Sequence, residues 1–459
     1  VSTSEFDKAN GNVRELATDI LAKVEVRKAY ANILLDRALR SVQLSPRDGA
    51  LLTELIYGTL RWRGRIDGKL KPLMRRPLES THPFIRNLLR MALYQTDFLD
   101  RIPDHAAVNA AVDLAKMHNG EQAARFVNAV LRRHLREKEN NPSTKPGPES
   151  AAFSDISEHW SHPQWLVRQW SDYLGFGELP ALLQANNEQS ALVLRVNPLR
   201  TTKEGLLELL RREGVQAAPT SWSPQGISIS SSSPVDRLPG FQEGLFQVQG
   251  EASQLVGYLV APQAGERILD ACAAPGGKAT HLAELTGDLG EIIGADISQA
   301  GLQKLAENSR RLGLDSIRPV VADASKGTSG LGNLYDRILV DAPCSGLGTL
   351  RSHPEIKWNR SQADIQRLSR LQRAILARSA DQLKPGGVLV YSTCTLTAAE
   401  NETVVQRFLE NYAEFVLEDA AVYLPAAAKR LVHNGYFMAW PHRHGTDGFF
   451  AARLKKVDA

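Results

Sequence analysis

Apolar residues recur at three- and four-residue spacing through the first third of the chain. Leu16, Ile20, Leu21 and Val24 fall on one face; Ile33, Leu34, Leu35, Ala38 and Leu39 follow, then Leu51, Leu52, Leu55, Ile56 and Leu60. A period of 3.6 predicts amphipathic helices. Ser45-Pro46-Arg47-Asp48 offers a side-chain cap with proline at the first helical position. Further helices are predicted over 83–99, 102–117 and 121–135. From Val13 to about Glu139 the pattern predicts an all-α domain of roughly six or seven helices. It ends in a stretch broken by Pro142, Pro146 and Pro148, which predicts a linker.

Beyond it, His159–Tyr173 predicts a helix whose Trp160, Trp165 and Trp170 read as core, because indoles bury large area. Strands are predicted at Leu192–Asn197 and Gly226–Ser230, a helix at Thr202–Glu213 stopped by Gly214, and a loop at the serine tract before Pro234. These make a small α/β, ferredoxin-like piece. From Gln263 onward strands and helices alternate, which predicts a doubly wound α/β domain on a parallel sheet. The expected organisation is multidomain: a helical domain over 1–140, a linker over 141–158, a small α/β subdomain over 159–245 and a large α/β domain over 246–459.

Composition narrows the class. Of 459 residues, 43% are hydrophobic and 23% charged, as in soluble globular proteins. No apolar run is long enough for a bilayer, and Val1–Asp7 has no apolar signal core, so a cytoplasmic protein without a membrane partner is expected. Residues 1–140 carry 24 Lys+Arg against 17 Asp+Glu; the remainder carries 31 against 34. A basic module on a near-neutral one suggests an anionic partner. Arg61, Arg63, Arg65, Arg75, Arg76, Arg132, Arg133 and Arg136, with Trp62 among them, suit RNA phosphates and exposed bases; a solvated basic face is the alternative. The three cysteines, Cys272, Cys344 and Cys394, form no disulfide framework and no metal-ligand spacing, so no metal is expected.

The candidate chemistry centres on Asp270-Ala271-Cys272-Ala273-Ala274-Pro275-Gly276-Gly277-Lys278. A strand leads in, small residues let a ligand lie against the backbone, and the following helix offers unpaired N–H groups. Four predicted strands end at Asp270, Asp296, Asp323 and Asp341, on the edge where open α/β sheets bind ligands. Like charges converging there call for a ligand or a basic group. Asp296 lies 26 residues after Asp270, near the spacing of a ribose-binding acid. The absence of a full G-x-G-x-x-G argues against a dinucleotide and for a smaller adenosyl ligand, S-adenosylmethionine. Asp323 would take its adenine amino group and the backbone of Ala273–Gly277 its methionine end. Cys344 follows the fourth strand and Cys394 the fifth, Gly387–Ser392, so the two thiols should face one site. An activated methyl donor beside a thiol suits methylation at carbon 5 of a pyrimidine. Thiolate addition at carbon 6 makes carbon 5 nucleophilic, an acid serves N3, and loss of the carbon 5 proton releases the thiol.

These motifs, with Ser392-Thr-Cys-Thr395, Glu400-Asn401-Glu402 and Gly445-Thr446-Asp447-Gly448-Phe449-Phe450, resemble the RNA 5-methylcytosine methyltransferases over about 150–456. The helical domain, through Ile102–Asn109 and Phe126–Arg132, resembles the NusB-type RNA-binding domain. The combination is similar to the RsmB (Sun) type of bacterial small-subunit rRNA methyltransferase. The resemblance implies a Rossmann-like class I methyltransferase domain, S-adenosylmethionine as cofactor and 16S rRNA as partner, with no DNA partner and a monomeric chain. It implies that Cys394 is the nucleophile, that Cys344 assists product release, and that Lys278 and Asp341 belong to the active site: Asp341 to meet the cytosine, Lys278 to order the motif near the cofactor. It assigns Cys272 no role; that thiol is expected to be a small packed residue of the cofactor loop. Two rivals remain: a non-catalytic RNA-binding or antitermination factor on a relic fold, which would be expected to lose some of the cysteines and strand-end acids, and a transfer-RNA enzyme of the same chemistry.

Overall fold

The computed structural model describes residues 12–140, 152–230, 234–327 and 334–457. The predicted linker segment 141–151, the serines at 231–233 and the N-terminal residues lie outside them. The chain divides into two units, one of residues 1–188 with 350–359 and one of 189–349 with 360–459.

The first unit is helical: α1 (Val13–Arg27), α2 (Ala31–Ser41), α3 (Pro46–Leu70), α4 (Pro83–Phe98), α5 (Asp104–Asn140), α6 (Phe153–His159), α7 (Gln164–Leu174) and α8 (Leu179–Ala185). Ser45 caps α3 with Pro46 in the first turn, as the sequence predicts. Helix α5 covers two predicted helices; between them Gly120 adopts φ 79°, a left-handed conformation that glycine takes at little cost. The core holds most of the predicted apolar set, Leu16, Ile20, Leu21, Leu52, Leu55 and Ile56 among it, while Ile33 and Leu39 are exposed.

The structure corrects several expectations. Within 141–158, read as linker, Phe153–His159 is helical. The helix predicted over 159–173 begins only at Gln164, as α7; residues 160–163 form the turn after α6, where Ser161 has φ 55°; Trp170 is buried, and Trp160 and Trp165 are half-buried. Helices α7 and α8 group by contact with the first unit. The basic cluster also divides. Arg61 and Arg63 lie inside α3 rather than near its ends. Arg61 is buried and donates to the Arg351 carbonyl at 3.0 Å. Arg63, Arg86 and Arg90 surround Glu25 at 3.1, 3.0 and 2.9 Å. Burial raises the Glu25 carboxyl, but Arg90 and Arg63 outweigh it and hold the group at about 2. These arginines build the core's polar edge.

The second unit begins with β1 (Leu192–Val196), α9 (Lys203–Arg212), β2 (Gln216–Pro219), β3 (Gly226–Ser230) and β4 (Phe246–Val248). They form an antiparallel sheet ordered β2-β3-β1-β4, the ferredoxin-like piece. Strands β2 and β4 escape sequence reading because each is short and supplies little alternation. Next come α10 (Glu251–Val260), β5 (Arg267–Asp270), α11 (Gly277–Leu285), β6 (Glu291–Asp296), α12 (Gln299–Leu312), β7 (Ile317–Val321) and β8 (Tyr335–Asp341). The chain then supplies α13 (Ile356–Asn359) to the first unit. There the Lys357 ammonium is fully buried and donates to the carbonyls of Arg61 and Ser161 and to Asn187 Oδ1 at 3.0, 3.0 and 2.8 Å.

The chain returns as α14 (Gln362–Ala380), β9 (Leu383–Thr393), α15 (Glu402–Asn411), β10 (Phe415–Glu418), β11 (Val432–His433), β12 (Tyr436–Ala439) and β13 (Phe449–Lys456). The large sheet is ordered β11-β12-β13-β9-β8-β5-β6-β7, with β10 on β13. Strands β9, β8, β5, β6 and β7 are parallel, the doubly wound arrangement expected. The antiparallel extension beyond β9 goes past the sequence expectation. Strand β13 pairs Phe450 with Thr393 and Lys455 with Val388, which covers the β9 edge.

Candidate active site

Three of the predicted acids are the last residues of their strands: Asp270 of β5, Asp296 of β6 and Asp341 of β8. Asp323 stands two residues past β7. The parallel order β8-β5-β6-β7 therefore sets all four along one sheet edge.

The Asp270–Lys278 turn is built by close approach. Gly276 has φ 106°, and a Cβ there would lie 2.6 Å from Leu305 Cδ1 and 3.0 Å from its Cα, so only glycine fits. The Ala273 N–H donates to the Ala295 carbonyl at 2.8 Å, and the Ala274 N–H to Asp296 Oδ2 at 3.1 Å. The Ala274–Pro275 peptide is cis. Asp296 Oδ1 also accepts the Ser298 N–H at 2.8 Å, so this acid ties the loop to the end of β6.

Asp270 is 1% exposed, and neither carboxylate oxygen has a well-formed hydrogen-bond partner. Burial, then the charge of Asp341, pushes its pKa up to about 7, while Lys278 acts in the opposite direction. A buried acid with spare oxygens beside a glycine turn and a helix N-terminus fits a ligand with a cationic or donor end. Cys272 lies in the same loop. Burial and the charges of Asp270, Asp341, Asp296 and Asp323 raise its thiol well above the usual range, which makes it a poor nucleophile. Asp323 spends Oδ1 on the Ser325 N–H and hydroxyl at 3.1 and 2.6 Å and keeps Oδ2 3.3 Å from exposed Lys326.

The basic group called for by converging carboxylates is Lys278. Its Nζ lies 2.6 Å from Asp341 Oδ2 and 5.0 Å from the Phe449 ring centre. Ser392 donates to Asp341 Oδ1 at 2.8 Å. Beside this pair, the Cys344 and Cys394 sulfurs are 3.3 Å apart. Adjacency of β8 and β9, with Asp341 paired to Ser392, brings together two thiols 50 residues apart in sequence. Cys344 is raised well above the usual thiol range, first by its hydrogen bond with Cys394, then by burial.

Close backbone packing holds the cysteine loops. The Gly348 N–H donates to the Cys394 carbonyl at 3.0 Å, and the Gly448 N–H to the Gly348 carbonyl at 2.7 Å. A Cβ on Gly348 would fall 2.1 Å from the Gly448 carbonyl oxygen. Two groups escape individual assignment from sequence. Glu400, although inside a recognised motif, is buried among the residues of both loops. Arg195 on β1 is fully buried against α11, with Nη2 2.8 Å from Glu284 Oε1. An isolated arginine in a strand pattern carries no signal of such a partner.

A second feature lies in the helical unit. Arg75, Arg76, Arg133 and Arg136 line a groove of about 830 Å³ with His82 and partly exposed Phe126, and no Asp or Glu is in its lining. Arg133 also pairs with Glu137 on the exposed surface at 3.0 Å. Among the described residues no group of His, Cys, Asp and Glu could hold a metal ion, and no helix is long and apolar enough to cross a membrane.

Residues 257–455 match the family model for the 16S rRNA methyltransferase RsmB/F, residues 11–136 that of the NusB family, and residues 162–236 that of the ferredoxin-like domain of RsmF/B-like methyltransferases. The chain is 38% identical to the probable ribosomal RNA small subunit methyltransferase B of Synechocystis, across 97% of this chain and 100% of that protein. It is 36% identical to the ribosomal RNA small subunit methyltransferase B of Vibrio cholerae, across 97% and 98%. Among solved structures, that of PH0851 superposes with a TM-score of 0.83 at 28% identity over 97% of this chain and 99% of that one. NSun6 from Pyrococcus horikoshii, solved with SFG, an S-adenosylmethionine analogue, superposes with a TM-score of 0.58 at 26% identity, over 65% and 99%.

Proposed function

The chain belongs to the RsmB/F family of 16S rRNA methyltransferases, and from that premise we propose that it methylates carbon 5 of a cytosine in small-subunit rRNA through a covalent adduct on Cys394. The observation that carries the reading is the 3.3 Å approach of two thiols beside the Lys278–Asp341 pair. Non-covalent transfer to an RNA oxygen or nitrogen has no need of a thiol pair.

S-adenosylmethionine supplies the activated methyl group. The residues fit it: the unpaired Asp270 oxygens suit a cationic end, the Ala273–Gly277 backbone lets it lie close, and Asp296 and Asp323, on the same sheet edge, would accept from a ribose and an adenine amino group. Asp341 meets the cytosine edge. As Cys394 Sγ bonds to C6, the thiol's proton passes by way of Asp341, 2.6 Å from Lys278 Nζ, to N3. Carbon 5 then bonds to the methyl group. Loss of the C5 proton to a solvent base and return of the N3 proton to sulfur break the C6–S bond and restore the Cys394 thiol, and the neutral Cys344 thiol, 3.3 Å away, donates a hydrogen bond to the departing sulfur. The target base must be unpaired or flipped, because a thiol cannot reach C6 inside a stacked helix.

The groove of Arg75, Arg76, Arg133 and Arg136 supports RNA contact by the helical unit, with Phe126 as a stacking surface. This replaces the wider cluster that included Arg61 and Arg63. The chain acts as a cytoplasmic monomer without DNA or membrane partners in this reading.

The test is methyl transfer from labelled S-adenosylmethionine to small-subunit rRNA, bulk tRNA and a DNA control, followed by nucleoside analysis. Label in 5-methylcytosine from the rRNA alone is expected. Label in another nucleoside refutes the carbon 5 chemistry, and label in tRNA alone refutes the substrate.

A further inference from the structure

Glu400 is completely buried, and its carboxylate gathers donors from three places in the chain. Oε1 accepts the Ser345 N–H at 2.8 Å and Gln372 Nε2 at 3.0 Å. Oε2 accepts the Ser345 hydroxyl at 2.6 Å and the Thr397 hydroxyl at 3.0 Å. Ser345 adjoins Cys344, and its hydroxyl also lies 2.6 Å from that of Thr395, which adjoins Cys394. Gln372, on α14, holds the Pro343 carbonyl with the same amide nitrogen, also at 3.0 Å. The Glu400 carbonyl accepts the Tyr391 hydroxyl at 2.5 Å, fixing the carboxylate's own backbone to β9. Neighbouring Asn401 takes the Thr393 hydroxyl at 2.6 Å and donates to the Thr395 carbonyl at 3.0 Å.

We propose that Glu400 is a positioning residue that fixes the spacing of the two thiols, by binding the residue next to each cysteine to one buried carboxylate. The proposal rests on the two-thiol chemistry above. Each cysteine loop leaves a different strand, and backbone pairing of β8 with β9 ends at Asp341 and Ser392. Past that register the Gly348 N–H still bonds the Cys394 carbonyl, and the alignment of the sulfurs is completed by side chains. A carboxylate has two oxygens with about four acceptor sites and can satisfy donors from both loops at once. The same interactions satisfy its burial, which would otherwise be costly. Glu400 touches neither sulfur in this network, so its effect passes through Ser345, Thr395 and Thr397.

The experiment compares Glu400→Ala and Glu400→Gln with the full-length parent. Phenylarsine oxide is the distance probe. One trivalent arsenic replaces its oxo group with two thiolate sulfurs, releasing one water, and so bridges only neighbouring cysteines. The parent is expected to take one arsenical per chain between Cys344 and Cys394, located by peptide mass analysis, with Cys394→Ser as the negative control. Glu400→Ala should keep its melting temperature within a few degrees and its affinity for S-adenosylmethionine, yet bridge at least 10-fold more slowly. Its kcat should fall about 100-fold, the scale of a misplacement near 1 Å, with KM for RNA unchanged. Glu400→Gln should recover most of both, because its amide oxygen still accepts the Ser345 N–H and the hydroxyls can turn to accept from its amide.

Parental bridging and kcat in Glu400→Ala overturn the proposal. So does loss of S-adenosylmethionine affinity in step with kcat, which marks a general core role, or a folded Glu400→Gln as impaired as the alanine variant. If Glu400→Ala fails to fold, Ser345→Ala, which removes one arm, must show the same split between bridging and cofactor binding. A bridged parent that forms no 5-methylcytosine refutes the carbon 5 reading and leaves the arsenical comparison to judge Glu400.

Discussion

Replacing Arg195 by methionine should cost about 3–5 kcal/mol of stability, the range for breaking a buried ion pair from one side. The guanidinium is fully buried, with Nε 2.8 Å from Glu284 Oε2 and Nη2 2.8 Å from Oε1. It also donates to the Gly277 carbonyl at 2.6 Å, to the Thr280 hydroxyl at 3.0 Å and to Gln249. Methionine fills much of the same volume but leaves Glu284 buried without its cation. Burial already raises the Glu284 carboxyl, and Arg195 is the main group opposing that rise. The assay is urea unfolding of the full chain at neutral pH, following the transition of the second unit. Arg195→Met/Glu284→Leu should recover most of the loss, because exchanging a buried pair for apolar residues is often neutral. A loss below about 1 kcal/mol, or a double variant no better than the single, would refute the claim that the pair rather than the shape of the site carries this stability.

Asp270→Asn tests the strained acid. In the folded chain this carboxyl titrates at about 7, well above the ordinary aspartate range, so at intermediate pH the unfolded chain is ionised while the fold keeps the proton. Stability therefore falls as pH rises from about 4 to 7 and then levels, each step of one pH in that window costing about 1.4 kcal/mol; without cofactor, the asparagine variant should be the more stable of the two at about pH 8 and similar at about pH 4. Parallel urea midpoints across that range would contradict it. Cys394→Ala should abolish turnover while cofactor binding persists, and Cys344→Ala should accumulate a protein–RNA adduct visible on a denaturing gel; methylation by the first or no adduct with the second counts against their roles. Changing Arg75 and Arg76 together to alanine should weaken RNA binding for all sequences alike and reduce the slope of log affinity against log salt by about 1 per lost phosphate contact. An unchanged slope removes the groove from the RNA path.

Much of the fold was legible in order along the chain. Helices α1 to α5 follow from apolar spacing, because burying one face of a helix leaves a period readable within a few turns. Strands β5, β6 and β8 each end at the aspartate predicted, since a short apolar run closed by an acid is a local signal. The nearness of Cys344 and Cys394 followed from topology, as parallel β8 and β9 are neighbours in the observed sheet. What the amino-acid order left undecided is set by pairings between distant segments. Whether an arginine meets water or a carboxylate depends on what folds against it: Arg63 meets Glu25, 38 residues away, and Arg195 meets Glu284, 89 away. Strand β13 finds β9 only through a ladder joining Phe450 to Thr393. Glu400 reads as one acid in a motif until Ser345, 55 residues earlier, is seen to donate to it. Periodicity records which side of an element faces the core. It carries no record of which distant polar group waits there, and buried hydrogen bonds and ion pairs acquire partners only when the chain closes.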